Sequence, residues 1–188
     1  MEPSDELLCR RTAERDEAAF DALVERYQGR AYRLAWSIVR NAEDARDLSQ
    51  EAFIRIYQSA GSFDGRSKFS TWFYRILVNV CLDHRRKHRW WKLWTLDAGD
   101  PESGESLLDR QPTPSLDPAD AIGRERTLKQ LWEAVGRLAP QQRAAVILHV
   151  QEDLPTLEIA AVLKCSEATV RVHLHRALTT LRKTMGTT

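Results

Sequence analysis

The chain has 188 residues, 43% of them apolar, enough to bury a core and to exclude wholesale disorder. Its 28 Lys+Arg against 27 Asp+Glu argue, as a total, against a nucleic-acid partner. No apolar run approaches the roughly 18 residues of a membrane-spanning helix, and the acids of Met1–Asp5 do not fit a secretory signal.

The distribution of charge says more than its sum. Residues 1–96 hold 17 basic and 14 acidic groups. Residues 97–120 hold only Arg110 against seven acids, with Pro101, Pro112, Pro114 and Pro118 among them. Residues 121–188 hold 10 basic and 6 acidic groups. Prolines at that density break helices and leave sheet hydrogen bonds unmade. The chain therefore reads as two small, mildly basic domains, 1–96 and 121–188, joined by an acidic flexible linker over 97–120. Cys9, Cys81 and Cys165 are an odd count without a CxxC pair, which fits a reducing cytoplasm better than a disulfide framework.

The predicted elements are all helical. Phe20, Leu23, Val24, Tyr27, Ala31, Leu34, Ala35 and Ile38 recur at helical spacing. Asn41 can stop that helix, and Asp44 begins another with Ala45, Leu48, Ala52, Phe53 and Ile56 on its buried side. Gly61–Gly65 is a loop by its glycines. Ser70 or Thr71 caps the next helix, whose apolar face is Trp72, Phe73, Ile76, Leu77 and Val80. That helix runs into the basic stretch Arg85–Arg89. Beyond the linker, Leu128, Leu131, Trp132, Val135 and Leu138 form one stripe. Pro140 stands at a helix N1 position, opening Gln141 to Val150. Two helices follow, Thr156–Leu163 and Glu167–Lys183, with Ser166 as the cap of the second. A short helix, a tight turn and a longer helix make a helix-turn-helix pattern, whose second helix enters the major groove of DNA.

Several groups are candidates for chemistry. Arg171, His175 and Arg176 share the outward side of the last helix, with Glu167 and Thr169 at its start. Arginine suits the O6 and N7 edge of guanine, although a solvated charged face has the same composition. Between residues 63 and 94, aromatic and basic residues alternate. Basic groups neutralise phosphate and aromatic faces hold unstacked bases. Trp72 and Phe73 fit a core better, and the Arg85–Arg89 run fits either a phosphate grip or a solvated helix end. Trp90, Trp91 and Trp94 fit an apolar edge or a partner contact equally. His84 and His88, at i and i+4, are a thin metal pair amid Arg85, Arg86 and Lys87, so no metal and no cofactor is expected. Cys165 in the turn could sense oxidants only if its thiol were unusually acidic. Nucleophile elbow, P-loop and HExxH motifs are absent, which argues against an enzyme.

The run Asp47-Leu-Ser-Gln-Glu-Ala-Phe53, then Ser62-Phe-Asp-Gly65, then Phe69-Ser-Thr-Trp-Phe-Tyr-Arg-Ile-Leu-Val-Asn79 resembles domain 2 of an extracytoplasmic-function sigma factor of bacterial RNA polymerase, in the sigma-70 family. Leu138-Ala-Pro-Gln-Gln-Arg143, Glu158-Ile-Ala160, Cys165-Ser-Glu-Ala-Thr-Val-Arg171 and His175-Arg-Ala177 resemble domain 4. The order and the gap match over nearly the whole chain.

The resemblance implies roles. Asp44, Asp47, Leu48, Gln50, Glu51 and Phe53 would dock on core RNA polymerase. Phe63, Asp64, Lys68, Tyr74 and Asn79 would capture a flipped base of the minus-ten element, with Arg85, Arg86 and Lys87 on nearby phosphate. Glu167, Thr169, Arg171, Val172, His175 and Arg176 would read the minus-thirty-five element. The acidic linker would lie in the polymerase RNA channel, where its charge resembles that of a transcript. The partners implied are core RNA polymerase, promoter DNA and an anti-sigma factor. Lys164 stands where the family often has Gly, Ala168 where it often has Gly, Val172 where it often has Ser, and Pro155 displaces the usual cap. Two rivals remain at this stage: a helix-turn-helix regulator that is not a sigma subunit, and a metal-dependent nucleic-acid enzyme built on His84 and His88.

Overall fold

In the computed structural model, residues 2–94 and 130–186 are described, with side chains through His88 in the first stretch. Every regular element among them is helical. The first, α1 (Asp5–Ala13), has no counterpart in the periodicity, because only Leu8, Cys9 and Thr12 are buried on it. Its ends hold it instead. Ser4 Oγ accepts from Leu7 N, Asp5 and Glu6 sit at the positive end of the helix dipole, and Arg10 and Arg11 at the negative end.

Helix α2 (Glu17–Val39) starts on Asp16, whose carboxylate accepts from Ala19 N at 3.1 Å. That bond, together with Arg11, holds the Asp16 carboxyl below the usual range. α2 ends at Arg40, in the left-handed region at φ 62°. Asn41, expected to stop α2, caps the next helix instead: its Oδ1 accepts from Asp44 N, and α3 (Ala42–Ser59) starts two residues earlier than the spacing predicts. A single 3-10 turn, Ala60–Ser62, leads into the loop, where Gly65 takes φ 70°, a conformation other residues adopt at a cost.

Helix α4 (Phe69–Trp94) also starts before its expected cap. Ser70 and Thr71 lie within its first turn, and Trp72 N donates to Lys68 O. The backbone N–H of Phe69 is satisfied from another helix, by Glu6 of α1 at 3.2 Å. The aromatic centre forms where α2 crosses α4. The Tyr27 ring lies 4.7 Å from Phe73 and 5.3 Å from Phe69, and Phe53 of α3 lies 5.6 Å from Phe73.

In the second described stretch, α5 (residues 130–136) and α6 (Pro140–Val150) pack with α7 (Thr156–Leu163) and α8 (Glu167–Met185). Pro140 occupies N1 as expected, and Ser166 Oγ caps α8 by accepting from Thr169 N. Lys164, between α7 and α8, takes φ 53°. Residues 97–120, expected to be the linker, lie outside the described residues.

The sequence suggests two bodies on a tether, and the structure packs them together. α6 lies on α2, and α7 lies along α4. Trp36 meets Trp132 edge to face with centroids 5.6 Å apart. Arg143, only 3% exposed, reaches across from α6. Its guanidinium donates to the carbonyls of Ser37 and Ile38 at the end of α2, and of Gly136 and Leu138. One side chain thus satisfies orphan carbonyls at the end of α2 and beside α5, a requirement that no spacing pattern discloses.

Candidate nucleic-acid and polymerase interfaces

Three surfaces carry the residues singled out from sequence. The first is the outer edge of α3. Asp47 and Gln50 are exposed, and Asp44 and Glu51 are half-buried beside them. His84 Nε2 lies 3.3 Å from the Asp44 carboxylate, and Glu51 pairs with Arg55 one turn on. Leu48 and Phe53 face the other way, into the core. Their burial fixes the rotation of α3. Sequence reasoning passed over Ile54. It is 56% exposed, one turn from Gln50 and two from Asp47, and so sets an apolar side chain amid the acids. Its position off the buried stripe was the available signal.

The second surface is the loop before α4 with the faces of α4 itself. Phe63 is half-buried, its ring 5.4 Å from Trp72 and 6.1 Å from Phe69. Asp64 is exposed and holds the loop, accepting from Arg66 N at 3.0 Å. The structure divides the expected minus-ten readers. Lys68, Arg86 and Lys87 are exposed, and Asn79 is half-buried. Tyr74 is 1% exposed, and its hydroxyl donates to Glu152 of the second body. Burial first, and the Glu152 carboxylate second, push the Tyr74 phenol well above its usual range, so it is a neutral donor. Arg85 turns inward and donates to Ile38 O at 3.0 Å. Arg86 pairs with Asp83. Thr71, expected as a cap, donates its hydroxyl to Glu158, and Lys68 Nζ lies 3.1 Å from the same carboxylate. The side chains of Arg89, Trp90, Trp91 and Trp94 lie outside the described set.

The third surface is α7, the turn and α8. Val170, Ala177 and Leu181 are buried, which leaves Arg171, Val172, His175 and Arg176 exposed along the opposite side of α8. Ala168 and Thr179 are exposed with them. At the start of α8, Glu167 Oε1 accepts from Thr156 Oγ1 at 2.6 Å and from Arg171 Nη2 at 2.7 Å. Those two donors hold the Glu167 carboxyl below the usual range. Thr169 is half-buried and exchanges a hydrogen bond with Ser166 Oγ. The turn closes through Cys165 N donating to Ala160 O at 3.1 Å.

Other candidate chemistry is quiet. Burial pushes the Cys9 thiol up to about 11 and the Cys81 thiol to about 12, and it also raises Cys165. None of the three is a ready thiolate. His84 and His88 stack with centroids 6.2 Å apart. Among the described residues, no three His, Cys, Asp or Glu side chains group so as to hold a metal ion. Among them also, no helix is long and apolar enough to cross a membrane.

Comparison with known proteins bears on both bodies. The family Sigma-70 region 2 matches residues 23–91, and Sigma-70, region 4 matches residues 128–181. The ECF RNA polymerase sigma factor SigW of Bacillus subtilis is 31% identical over 169 residues, covering 89% of each chain. The RNA polymerase sigma-H factor of Pseudomonas aeruginosa is 32% identical over 185 residues, covering 96% of this chain and 93% of the relative. The sigma factor RpoE of Bartonella quintana, solved in complex with the anti-sigma factor NepR, shares the fold. It has a TM-score of 0.71 at 21% identity, covering 89% of this chain and 96% of that one.

Proposed function

The chain belongs to the extracytoplasmic-function sigma factors of the sigma-70 family, initiation subunits that bind core RNA polymerase and direct it to promoters, and from that premise we propose how its surfaces divide the work. Residues 1–96 form the domain that docks on polymerase and reads the minus-ten element. Residues 121–188 form the domain that reads the minus-thirty-five element, and the acidic 97–120 segment spans between them.

Docking belongs to the outer edge of α3: Asp44, Asp47, Gln50 and Glu51, with Ile54 supplying apolar contact at its centre. Minus-ten reading belongs to the 62–68 loop and α4. A protein cannot reach the Watson–Crick edge of a base inside a duplex. The base must be extruded, and a pocket that stacks and hydrogen-bonds it offsets the few kcal/mol of unstacking. Phe63 against Phe69 and Trp72 offers the stacking wall. Tyr74, Asn79, Asp64 and Lys68 offer donors and acceptors, and Arg86 and Lys87 offer charge for phosphate. Strand separation is then driven by binding energy, and the protein performs no reaction of its own. It works in the cytoplasm with polymerase. An anti-sigma factor is its regulatory partner on this reading, supported by the complex of the Bartonella protein of like fold.

The observation that carries the reading is the exposed side of α8. Arg171, Val172, His175 and Arg176 stand clear of the core on a capped helix that follows a tight turn, the arrangement that enters a major groove. The test is run-off transcription on genomic DNA of the source organism with purified core polymerase. Discrete new transcripts are expected only when the protein is added. Arg171→Ala or Arg176→Ala should reduce them while leaving core binding intact, and Asp47→Ala with Gln50→Ala should abolish core binding. An unchanged transcript pattern on adding the protein overturns the proposal.

A further inference from the structure

The loop proposed to hold the extruded base has α1 packed against it. That helix precedes every residue given a DNA role above. It is pinned on several sides. Asp5 accepts from the Tyr27 hydroxyl at 2.6 Å and from Arg26 Nη1 at 2.7 Å, and the same nitrogen donates to Pro3 O at 2.8 Å. Leu8, Cys9 and Thr12 are buried beneath it. Glu6 Oε1 accepts the Phe69 N–H, where the loop ends and α4 begins. α1 and the 62–68 loop therefore present one continuous surface.

The cations on that surface are not equivalent. Arg11 is neutralised by Asp16 at 2.6 Å, Arg66 by Asp64 at 3.2 Å and Lys68 by Glu158 at 3.1 Å. Arg10 forms no ion pair among the described residues. Its natural helical partner is Glu6, four residues before it, but Glu6 turns to Phe69 N. Arg10 is exposed on the last turn of α1, and its Nη2 lies 3.9 Å from where a Cβ would stand on Gly65. Gly65 adds no side chain between that guanidinium and the loop. An uncompensated, forked donor thus overhangs the place where an extruded nucleotide enters.

We propose that Arg10 is a DNA-binding residue that grips a backbone phosphate beside the extruded minus-ten base, which makes α1 part of the minus-ten reader. This rests on the reading of the 62–68 loop given above and adds a phosphate clamp to it. A nucleotide turned out of the stack carries its backbone with it. Phe63 and Asp64 answer the base but leave the phosphate without a counter-charge. The planar fork of arginine meets two phosphate oxygens at once. Such a contact holds no sequence information; it fixes where the strand lies, so that the base falls into register with the loop.

The test uses holoenzyme assembled from the full-length chain and core polymerase. The probe is a promoter recovered by run-off transcription, duplex through the minus-thirty-five element, with the non-template strand left unpaired through the minus-ten element. Fluorescence anisotropy reads its affinity. Arg10→Ala should bind several-fold more weakly and lower the slope of log affinity against log salt by about 0.7, the share of one phosphate on a single strand. Arg10→Lys should restore the slope, because the charge is kept. The loss should be equal for every base placed at the extruded position. Uncharged methylphosphonates, introduced one at a time, locate the contact. One of them should weaken wild type yet cost Arg10→Ala nothing further, since both changes remove the same interaction. Circular dichroism and core binding should match wild type. Affinity equal to wild type overturns the proposal. So does weaker binding at an unchanged slope with every methylphosphonate penalty intact, the signature of a structural role. Phe63→Ala tests the loop separately. If it loses binding and Arg10→Ala does not, the loop reads the base without α1 and this proposal alone fails. If neither loses binding, the reading of the loop fails as well.

Discussion

Arg143 is the residue on which the arrangement of the two bodies most depends. Its guanidinium is buried and serves four carbonyls. Burial, and then the neighbouring charges of Arg85 and Arg40, lower it to about 10. It therefore stays charged at neutral pH while bearing a desolvation cost, which its carbonyl bonds must offset. Arg143→Ala leaves those carbonyls buried without a donor. Urea unfolding should show a loss of about 3 kcal/mol. Arg143→Lys should recover only part of it, because an ammonium has three donors and no planar fork. At the other end of the second body, Glu167 grips Arg171 and Thr156 through a single oxygen. The pair with Arg171 is exposed, so its worth to folding is small. Its effect is to limit the directions Arg171 samples. Glu167→Ala should therefore leave stability unchanged yet lower discrimination at the base that Arg171 is proposed to read by a few-fold. Binding to a set of single-base promoter variants measures this, and an equal loss for all variants would assign Glu167 no positioning role.

At the scale of elements, α4 and α7 form a contact that titrates. Burial raises the Glu158 carboxyl, but the Thr71 hydroxyl and the Lys68 ammonium outweigh it and leave the group below its ordinary value. A carboxyl depressed where α7 lies on α4 favours that contact above the ordinary glutamate range, and the contribution is lost as pH falls through the lowered value. Hydroxyl-radical labelling of Tyr74, read by mass spectrometry, should thus stay constant from neutral pH down to about pH 5 and rise below it. The Glu158→Gln variant should lack that step, with helix content followed in parallel to separate opening from unfolding. Nothing in the sequence disclosed this contact, because Glu152 and Glu158 read as ordinary surface acids until α7 is laid on α4. The helices themselves were legible where the apolar stripe was long, as in α2 and α3, and where local chemistry fixed an end, as at Pro140 and Ser166. α1 was illegible because it is held by end charges and by Ser4 rather than by a stripe. The start of α4 was misplaced because its cap comes from Glu6, far away in the chain. The residues proposed to dock and to read DNA come as a set from the family motifs. Which of them face outward was not legible, since Leu48, Phe53, Tyr74 and Arg85 are turned inward by packing that a linear pattern does not encode.

For the whole molecule, the near-neutral total conceals opposed parts: 17 basic against 14 acidic groups in residues 1–96, seven acids against one arginine in 97–120, and 10 basic against 6 acidic groups in 121–188. Salt therefore acts on two equilibria with opposite consequences. Binding to promoter DNA releases counterions, so affinity falls with salt at a slope of roughly 0.9 per phosphate neutralised. The packing of the second body on α4 is also held in part by ion pairs, Lys68–Glu158 at 3.1 Å and Arg30–Glu152 at 4.0 Å, with Lys68 and Arg30 mostly exposed and open to screening. Raising salt loosens that packing while it weakens the grip on DNA. Tyr74 labelling should accordingly rise in the wild-type chain as salt goes from about 0.05 M to about 0.5 M, where the Debye length shrinks to a few ångströms. It should change little in Glu152→Gln/Glu158→Gln, in which those ion pairs have been removed. Labelling that ignores salt in both chains would mean that the packing carries no electrostatic share and is held by the Arg143 and tryptophan contacts alone.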